Sequence, residues 1–295
     1  MTDSFPTVRF DPGEVAAARP LPATIDRACA LFTTHGAVRL LDVFERGFRD
    51  ALRQHFLERY RIELSGTAKR DLRPLYSVDL IGPPGHPDYY ANPMLRPILK
   101  RVLGDDVAIG AVSCVISFPG APQQFIHRDS PSLFGDYAVD RELPAYALTV
   151  LVPMVDANAE TGSTRVWPGT HRVADLGAAQ HMASESPDVP FGSVLMTDSR
   201  VVHCGSPNVS NRIRPLLYTS YHRSWFRDWG GYEHRPSVSI GRRARSRIPP
   251  EFAAMFRIAD ESAGHAEGPR SLGDIARSVG PALRAMVRGR IERGA

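Results

Sequence analysis

The chain has 295 residues, of which 43% are hydrophobic and 23% charged, an ordinary composition for a folded globular protein. This apolar content excludes disorder of the whole chain, and no apolar run reaches the roughly 18 residues that span a bilayer. The formal net charge is +4, with 36 residues Lys or Arg, nearly all Arg. Because these arginines are spread along the chain rather than clustered, we expect no nucleic-acid partner. Since no apolar run is long enough to span a bilayer, we expect no membrane partner either.

The cysteines and the start of the chain bear on the compartment. Cys29, Cys114 and Cys204 are odd in number and widely spaced, which argues against a disulfide framework. The first residues show no basic segment followed by an apolar stretch, so no secretory signal is visible. We therefore expect a reducing compartment and a cytoplasmic protein.

The part before residue 107 is predicted to be mainly helical, with a short strand at 37–41. Apolar residues recur at every fourth position and predict one helix: Phe44, Phe48, Leu52, Phe56 and Tyr60. A second helix is predicted over residues 92–103, because Asn92 can cap its start and Gly104 can end it.

From about residue 107 the pattern changes to short segments rich in β-branched and aromatic residues. Turns containing Pro, Gly, Asn and Asp separate them, which is typical of a sandwich or barrel. The predicted strands cover residues 107–118, 123–129, 146–155, 163–167, 193–196, 200–204 and 214–222.

The C-terminal part is predicted to be helical again after Pro249 and Pro250. Ser271 and Asp274 resemble a capping box, and apolar residues follow at helical spacing as far as 287. We therefore expect a single domain with three parts. Residues 1–106 form a helical part packing on the barrel, 107–225 the β core, and 226–295 a loop and helical extension.

One short motif within the predicted barrel suggests metal chemistry. His127 and Asp129 lie two residues apart on a predicted strand, so both side chains project from the same face. This pair can clamp a divalent metal, and His203, on a later predicted strand, can supply a third ligand. Two histidines and one carboxylate leave three positions open, as in non-heme Fe(II) oxygenases. Taken alone, His127 and Asp129 also fit an ordinary hydrogen-bonded pair in a barrel.

A candidate cosubstrate-binding arginine, Arg214, follows His203 in the sequence. Arg214 lies eleven residues after His203 and begins an apolar run. A buried arginine is costly unless a carboxylate meets it, and a guanidinium pairs well with a dicarboxylate. Arg212 is the rival for this role, and a surface position is the alternative for either arginine.

A longer block follows the metal motif at residues 161–172, reading TGSTRVWPGTHR. With His127, Asp129, His203 and Arg214, this block resembles the phytanoyl-CoA dioxygenase family, and the likeness covers about residues 30–225. The resemblance implies Fe(II)- and 2-oxoglutarate-dependent oxygenases on a mainly β fold with flanking helices, the double-stranded β-helix (a jelly-roll, cupin-like barrel).

The resemblance also implies individual roles. His127, Asp129 and His203 would hold iron, and Arg214 would bind the distal carboxylate of the cosubstrate 2-oxoglutarate. Thr149 corresponds to a strand position that contacts the cosubstrate in relatives, although it also fits an ordinary strand residue. His171, inside the 161–172 block, is not expected to be a ligand. With Asp129 present, hydroxylation is favoured over halogenation.

The implied reaction uses O2 to hydroxylate an unactivated C–H bond of a small molecule, releasing succinate and CO2. The substrate would be a natural product, an amino-acid derivative or an acyl compound. Desaturation, ring formation and epimerisation would use the same ligands, so they stay open beside hydroxylation. Two alternative functions stay open as well: a metal-dependent β-barrel enzyme that does not use 2-oxoglutarate, and a non-catalytic binding barrel. The oligomeric state stays open too. The substrate contacts are also unknown, because a structural role fits each candidate pocket residue better than a substrate contact. These candidates are Arg73, Tyr76, Tyr89, Tyr90, Arg128 and His222.

Overall fold

A computed structural model describes residues 4–65, 71–130, 133–134, 137–228, 238 and 240–259. These residues belong to one compact unit that ends at Ala259. Within them, no helix is long and apolar enough to cross a membrane. The helix predicted after residue 271 lies outside the described residues, and the three-part division of the whole chain stays a prediction.

The described residues form nine strands and a set of mostly short helices. The strands are β1 (Thr7–Arg9), β2 (Ala37–Leu41), β3 (Leu75–Ser77), β4 (Val107–Ser117), β5 (Ala147–Pro153), β6 (Thr164–Trp167), β7 (Val194–Asp198), β8 (Val202–Gly205) and β9 (Arg214–Arg223). The α-helices are α1 (Pro12–Ala16), α2 (Pro22–His35), α3 (Arg46–Arg59), α4 (Arg61–Ser65), α5 (Pro87–Tyr90), α6 (Arg96–Leu103), α7 (Tyr137–Asp140), α8 (Leu176–Gln180) and α9 (Arg242–Arg245). Single 3-10 turns or helices cover Pro83–Gly85, Thr170–Arg172 and Pro250–Phe256.

The strands form a large and a small sheet. The large sheet has seven strands in the order β1-β2-β7-β5-β9-β4-β3, and only its β1–β2 pair is parallel. The small sheet pairs β6 with β8 in antiparallel fashion. This arrangement confirms the predicted jelly-roll class of mainly β structure with flanking helices. Three strands of the large sheet, β1 to β3, come from residues before 107.

The two faces of the large sheet have different coverings. Its outer face carries Val150 and Ile116, which lie in one buried cluster with Phe32 of α2, Phe56 of α3 and Leu99 of α6. Burying one such side chain contributes about 1.5–3 kcal/mol, so this layer supplies most of the driving force for folding. The inner face turns toward the small sheet, because the second buried cluster takes members from both: Leu151, Leu195, Leu216, Val166 and Val201.

The predicted N-terminal helices are present, and the second is shorter than expected. In α3, Leu52 and Phe56 are buried as the four-residue spacing predicts. The second helix starts at Arg96 rather than 92, because the Asn92 side chain accepts the N–H of Met94 at 2.9 Å and caps a separate turn. Gly104 ends α6 with φ of +91°, a conformation that glycine adopts without strain.

Six of the seven predicted barrel strands are present, whereas residues 123–129 form only an isolated bridge. The N–H of Gln124 donates to the Gly205 carbonyl at 2.9 Å, and that of His127 to the His203 carbonyl at 3.0 Å. Three residue steps on one side thus face two on the other, which is the geometry of a bulge. The extra residue breaks the ladder, so the predicted strand does not form.

Candidate metal centre

Three side chains from two distant parts of the chain meet beside the small sheet. The Nε2 atoms of His127 and His203 lie 3.8 Å and 3.5 Å from Oδ1 of Asp129. One ligand atom from each residue lies within 4.8 Å of the other two. Metal–ligand bonds of ~2.1 Å place neighbouring ligand atoms ~3 Å apart, so a small contraction closes this set around an ion. The residues predicted as ligands therefore form a potential metal site.

Backbone carbonyls orient both imidazoles. Nδ1 of His127 lies 2.9 Å from the carbonyl oxygen of Phe125, and Nδ1 of His203 lies 3.1 Å from that of Val201. A carbonyl oxygen only accepts, so each Nδ1 carries the proton and donates. Each Nε2 then keeps its lone pair and faces Asp129, which is the arrangement that metal-binding histidines adopt.

A third contact holds the carboxylate. Thr149 on β5 donates from Oγ1 to Oδ2 of Asp129 at 3.1 Å, leaving Oδ1 toward the two histidines. Thr149 is 2% exposed, so its hydroxyl is held in place by the strand. The structure thus places Thr149 against a candidate ligand.

The site favours an uncharged imidazole at His127. Burial lowers the pKa of His127, and the neighbouring His203 lowers it further, while the Phe125 carbonyl and Asp129 act in the opposite direction. An unprotonated ring is the form that binds a metal.

The arginine between the two ligands does not face the metal site as a free cation. Arg128 reaches back to the segments that follow β6 and β7, where its guanidinium donates to the carbonyls of Thr170, Val173, Ala174 and Arg200. This side chain ties the segment that carries His127 and Asp129 to Thr170 in the 161–172 block and to the residues that follow it. Arg128 therefore has a positioning role that its place in the sequence did not reveal.

Residues of the 161–172 block pack closely against the backbone on either side of His203. Gly162 has φ of +83°, and a Cβ there would lie 2.6 Å from the Ser206 carbonyl oxygen. Thr170 accepts the N–H of Val202 on its Oγ1 at 2.9 Å, one residue before His203. His171 lies against Gly36, and is not among the described residues of the metal cluster. The block thus shapes the frame of the site.

Arg214 is the first residue of β9 and is only 1% exposed. Its Nη2 donates to the Gly162 carbonyl at 2.7 Å, whereas its Nη1 has no hydrogen-bond partner among the described residues. Burial, with a smaller effect of Arg73, lowers the pKa of Arg214 to about 9. A carboxylate at Nη1 would satisfy the donor and offset this charge burial. By contrast, Arg212 is exposed.

A second arginine, Arg73, lies close enough to Arg214 to affect its pKa. Arg73 donates from Nη2 to the carbonyls of Pro122 and Ser206 at 2.9 Å and 2.8 Å, and its buried Nη1 lacks a partner within the described ranges. A Cβ on Gly205 would lie 2.6 Å from that Nη1, so the guanidinium rests on the strand that carries His203. Burial lowers the pKa of Arg73. From the sequence, Arg73 was only one of several candidate pocket residues, and its contact with the strand of His203 was not predicted.

Three further pocket candidates have structural partners. The Tyr89 hydroxyl bonds Thr219 at 2.8 Å in the helix layer, and the Tyr90 carbonyl accepts from Tyr221. His222 lies 2.6 Å from the Ser220 hydroxyl, and burial lowers its pKa to about 3. These contacts make the three residues part of the buried framework.

Comparison with protein families decides the assignment. Residues 39–216, more than half of the chain, match the model of the family described as phytanoyl-CoA dioxygenase (PhyH). The chain belongs to the phytanoyl-CoA dioxygenase family. The matched range contains the three residues of the cluster, together with Thr149 and Arg214, so the PhyH match and the geometry concern the same part of the molecule.

Several relatives of this PhyH chain come from Aspergillus. It is 26% identical over 152 residues to Fe(II)/2-oxoglutarate-dependent dioxygenase nvfF of Aspergillus novofumigatus, covering 50% of each protein. It is 27% identical over 161 residues to dioxygenase trt7 of Aspergillus terreus, covering 52% of this chain and 54% of that protein. The alignments therefore span about half the length of these curated relatives.

Solved structures share the fold of this PhyH chain. The epimerase SnoN in complex with Fe3+, alpha ketoglutarate and nogalamycin RO superposes with a TM-score of 0.55 at 16% identity, over 69% of this chain and 85% of SnoN. EvdMO1 gives a TM-score of 0.52 at 20% identity, over 67% of this chain and 50% of EvdMO1. These likenesses show a common fold.

Proposed function

We propose that the protein is an Fe(II)- and 2-oxoglutarate-dependent dioxygenase that hydroxylates a C–H bond of a small molecule. The observation that carries this proposal is the His127–Asp129–His203 cluster, in which both Nε2 atoms face one carboxylate oxygen. Two imidazoles and one carboxylate are the donor set of non-heme Fe(II) sites with open positions. The names of the Aspergillus relatives, which include Fe(II)/2-oxoglutarate-dependent dioxygenase nvfF, support the same activity.

The Nη1 of Arg214, which has no partner in the described part of the chain, supports 2-oxoglutarate as the cosubstrate. A buried cation with a free donor fits the distal carboxylate of a five-carbon diacid, and Arg214 is the buried member of the Arg212/Arg214 pair. An enzyme that shares the ligand set but does not use 2-oxoglutarate has no need of this arginine. A non-catalytic barrel needs neither the metal-ligand set nor Arg214.

The chain's own residues would bind and orient the reactants. Phe125 and Val201 carbonyls hold the two imidazoles, and Thr149 holds Asp129. Iron, when bound, supplies the oxygen chemistry that couples substrate hydroxylation to conversion of 2-oxoglutarate into succinate and CO2. Arg214 would anchor the cosubstrate, and the buried side chains around Arg214 would exclude water. With Asp129 in place, the third protein ligand is a carboxylate, which favours hydroxylation over halogenation.

An anaerobic titration tests this proposal. Fe(II) and then 2-oxoglutarate are added to the wild-type protein, and we expect the weak visible band of a metal–cosubstrate complex. Arg214→Ala should raise the 2-oxoglutarate concentration needed for half saturation about 30-fold or more, because a buried charge pair loses one partner. Arg212→Ala, at the exposed arginine two residues earlier, is the matched control and should leave it unchanged.

Each alternative predicts a different result in the same experiment. Iron binding without any 2-oxoglutarate band, and equal behaviour of both arginine variants, would favour a metal enzyme that does not use 2-oxoglutarate. No iron binding by the wild type, and no loss of function in Asp129→Ala, would favour a non-catalytic barrel.

We also propose a reducing, cytoplasmic location. All three cysteines are unpaired, and Cys114 and Cys204 are buried. Burial raises the pKa of Cys114 to about 12, so this thiol is unreactive at neutral pH. Thiol titration of unfolded protein purified without reductant should find three free thiols, and finding fewer would contradict the proposal.

A further inference from the structure

Part of the inner face of the large sheet is covered by apolar side chains, and part of it is exposed to solvent. Across β2, β7 and β5 it is filled by the apolar cluster shared with the small sheet. On β3, along the middle of β4 and at Tyr218 of β9 the inward-facing residues remain partly or largely exposed, whereas the other inward-facing residues of β9 are buried. We call these six residues the open wall: Tyr218, Ala111, Ser113, Val115, Leu75 and Ser77.

The strand register places the open wall beside the metal centre. Thr149, whose hydroxyl holds Asp129, is paired with Ser220, and Ser220 is paired with Ala111. Ala111 therefore lies two strand spacings, about 10 Å, from Thr149 on the same face. Phe125 stands next to the cluster as well: it is 73% exposed, and its ring centroid lies 4.7 Å from that of His127.

The chemistry of the open wall is that of an uncharged surface. None of its six side chains is ionic, and three of them, those of Ser77, Ser113 and Tyr218, carry hydroxyls. The wall extends about 13 Å along β4, from Ala111 to Val115, and about 10 Å across three strands. This area matches the face of several fused rings.

The guanidiniums of the site do not serve this wall. Arg128 donates to four carbonyls, and Arg73 donates to two carbonyls from Nη2, while its remaining Nη1 is buried against Gly205. Arg214 is paired with Ser117 in register, beyond the Val115 end of the wall. A phosphorylated or zwitterionic substrate needs charged partners when it leaves water, and the six wall residues offer none.

We propose that the open wall and Phe125 bind an uncharged, rigid, multi-ring substrate, with the hydroxyls of Ser77 and Ser113 bonding its oxygen substituents. The inference rests on the proposed function and narrows its substrate class. The inference predicts that acyl-CoA thioesters, with their phosphates, and free amino acids, with their ammonium and carboxylate groups, do not bind to this wall. Exposed aromatic and apolar surfaces with a few polar groups are typical of such small-molecule sites.

Calorimetric titration of protein loaded with Mn(II) and 2-oxoglutarate tests the inference without relying on turnover. The probes are progesterone and an uncharged anthraquinone aglycone, compared with palmitoyl-CoA and L-leucine. We expect saturable binding of at least one neutral ring system and none of the charged compounds. Ser113→Trp fills the wall and should weaken that binding about tenfold or more, because overpacking a contact surface removes the ligand's space.

Two controls separate a local effect from misfolding. Ser113→Ala keeps the space and should bind within about fivefold of wild type, since one uncharged hydrogen bond contributes about 1 kcal/mol. Val209→Trp adds the same indole at a 75% exposed site and should change nothing. Saturable binding of palmitoyl-CoA or L-leucine, no binding of either ring probe, or equal binding by Ser113→Trp and wild type would each overturn the inference.

Binding of 2-oxoglutarate to the Mn(II) protein is measured first in the same titration. Its absence contradicts the proposed function. Its presence, with no binding of the ring probes, contradicts only the substrate class.

Discussion

Thr149 donates a hydrogen bond from Oγ1 to Oδ2 of Asp129 over 3.1 Å, and so leaves Oδ1 of the carboxylate for both histidines. The donor lies on β5 of the large sheet, and Asp129 follows His127, whose backbone bridges to His203 of the small sheet, so this bond links the large sheet to the segment that carries two of the ligands. Contacts of this kind set the direction of a ligand's lone pairs and are a large part of a site's metal affinity.

We predict that Thr149→Val weakens metal binding about 10–100-fold, because the isosteric side chain leaves the carboxylate free to rotate. Thr149→Ser retains a hydroxyl and should restore most of the affinity. Mn(II) titration by calorimetry measures both variants. Equal affinity of Thr149→Val and wild type would show that the hydrogen bond does not orient Asp129.

His222 should make the protein sensitive to acid. Burial lowers its pKa to about 3, with a smaller effect of Arg227, so between pH 6.5 and 3 the unfolded chain binds a proton that the folded chain does not. The free energy of unfolding therefore falls as pH drops below 6.5, by about 2 kcal/mol at pH 5 from this residue.

His222→Gln should remove that part of the pH dependence, as measured by urea unfolding at pH 7.5 and pH 5. His181→Gln, at an exposed histidine, is the control and should keep the wild-type difference between the two pH values. An unchanged pH difference in His222→Gln would show that the buried ring is not responsible.

Much of the β architecture could be predicted from the sequence because its signals are local. Long strands such as β4 and β9 carry β-branched and aromatic residues along their own length, and turn residues mark their ends. The meeting of His127, Asp129 and His203 was predicted from the strand pattern of one motif, together with a family resemblance. The buried position of Arg214 was expected from the apolar run that it begins.

Other features depend on contacts between distant segments, which no local pattern reports. β1 and β3 are three residues long, too short to show a period. The bulge between Gln124 and His127 exists only relative to β8. The place of Arg73 against Gly205 likewise depends on how an early segment packs on a late strand.

Gly205 should be intolerant of a side chain because of Arg73. A Cβ would lie 2.6 Å from Nη1 of Arg73 and 3.2 Å from Oε1 of Gln124, so the guanidinium must leave its two carbonyl partners. We predict that Gly205→Ala lowers the free energy of unfolding by about 1–3 kcal/mol. A double-mutant cycle tests the cause: in an Arg73→Ala background the same substitution should cost much less. An equal cost in both backgrounds would place the conflict elsewhere.

Arg200 and Asp198 form a buried ion pair directly before the strand that carries His203. Nη2 of Arg200 lies 2.7 Å from Oδ2 of Asp198, and the two side chains are 3% and 2% exposed. Arg200→Ala leaves a buried carboxylate without its main partner and should destabilise the protein by about 3–5 kcal/mol. The exposed pair of Arg101 and Asp26 is the matched control, and Arg101→Ala should cost about 1 kcal/mol or less. Urea unfolding of both variants measures the contrast. Similar small losses would mean that water or a rearranged loop replaces the partner of Asp198.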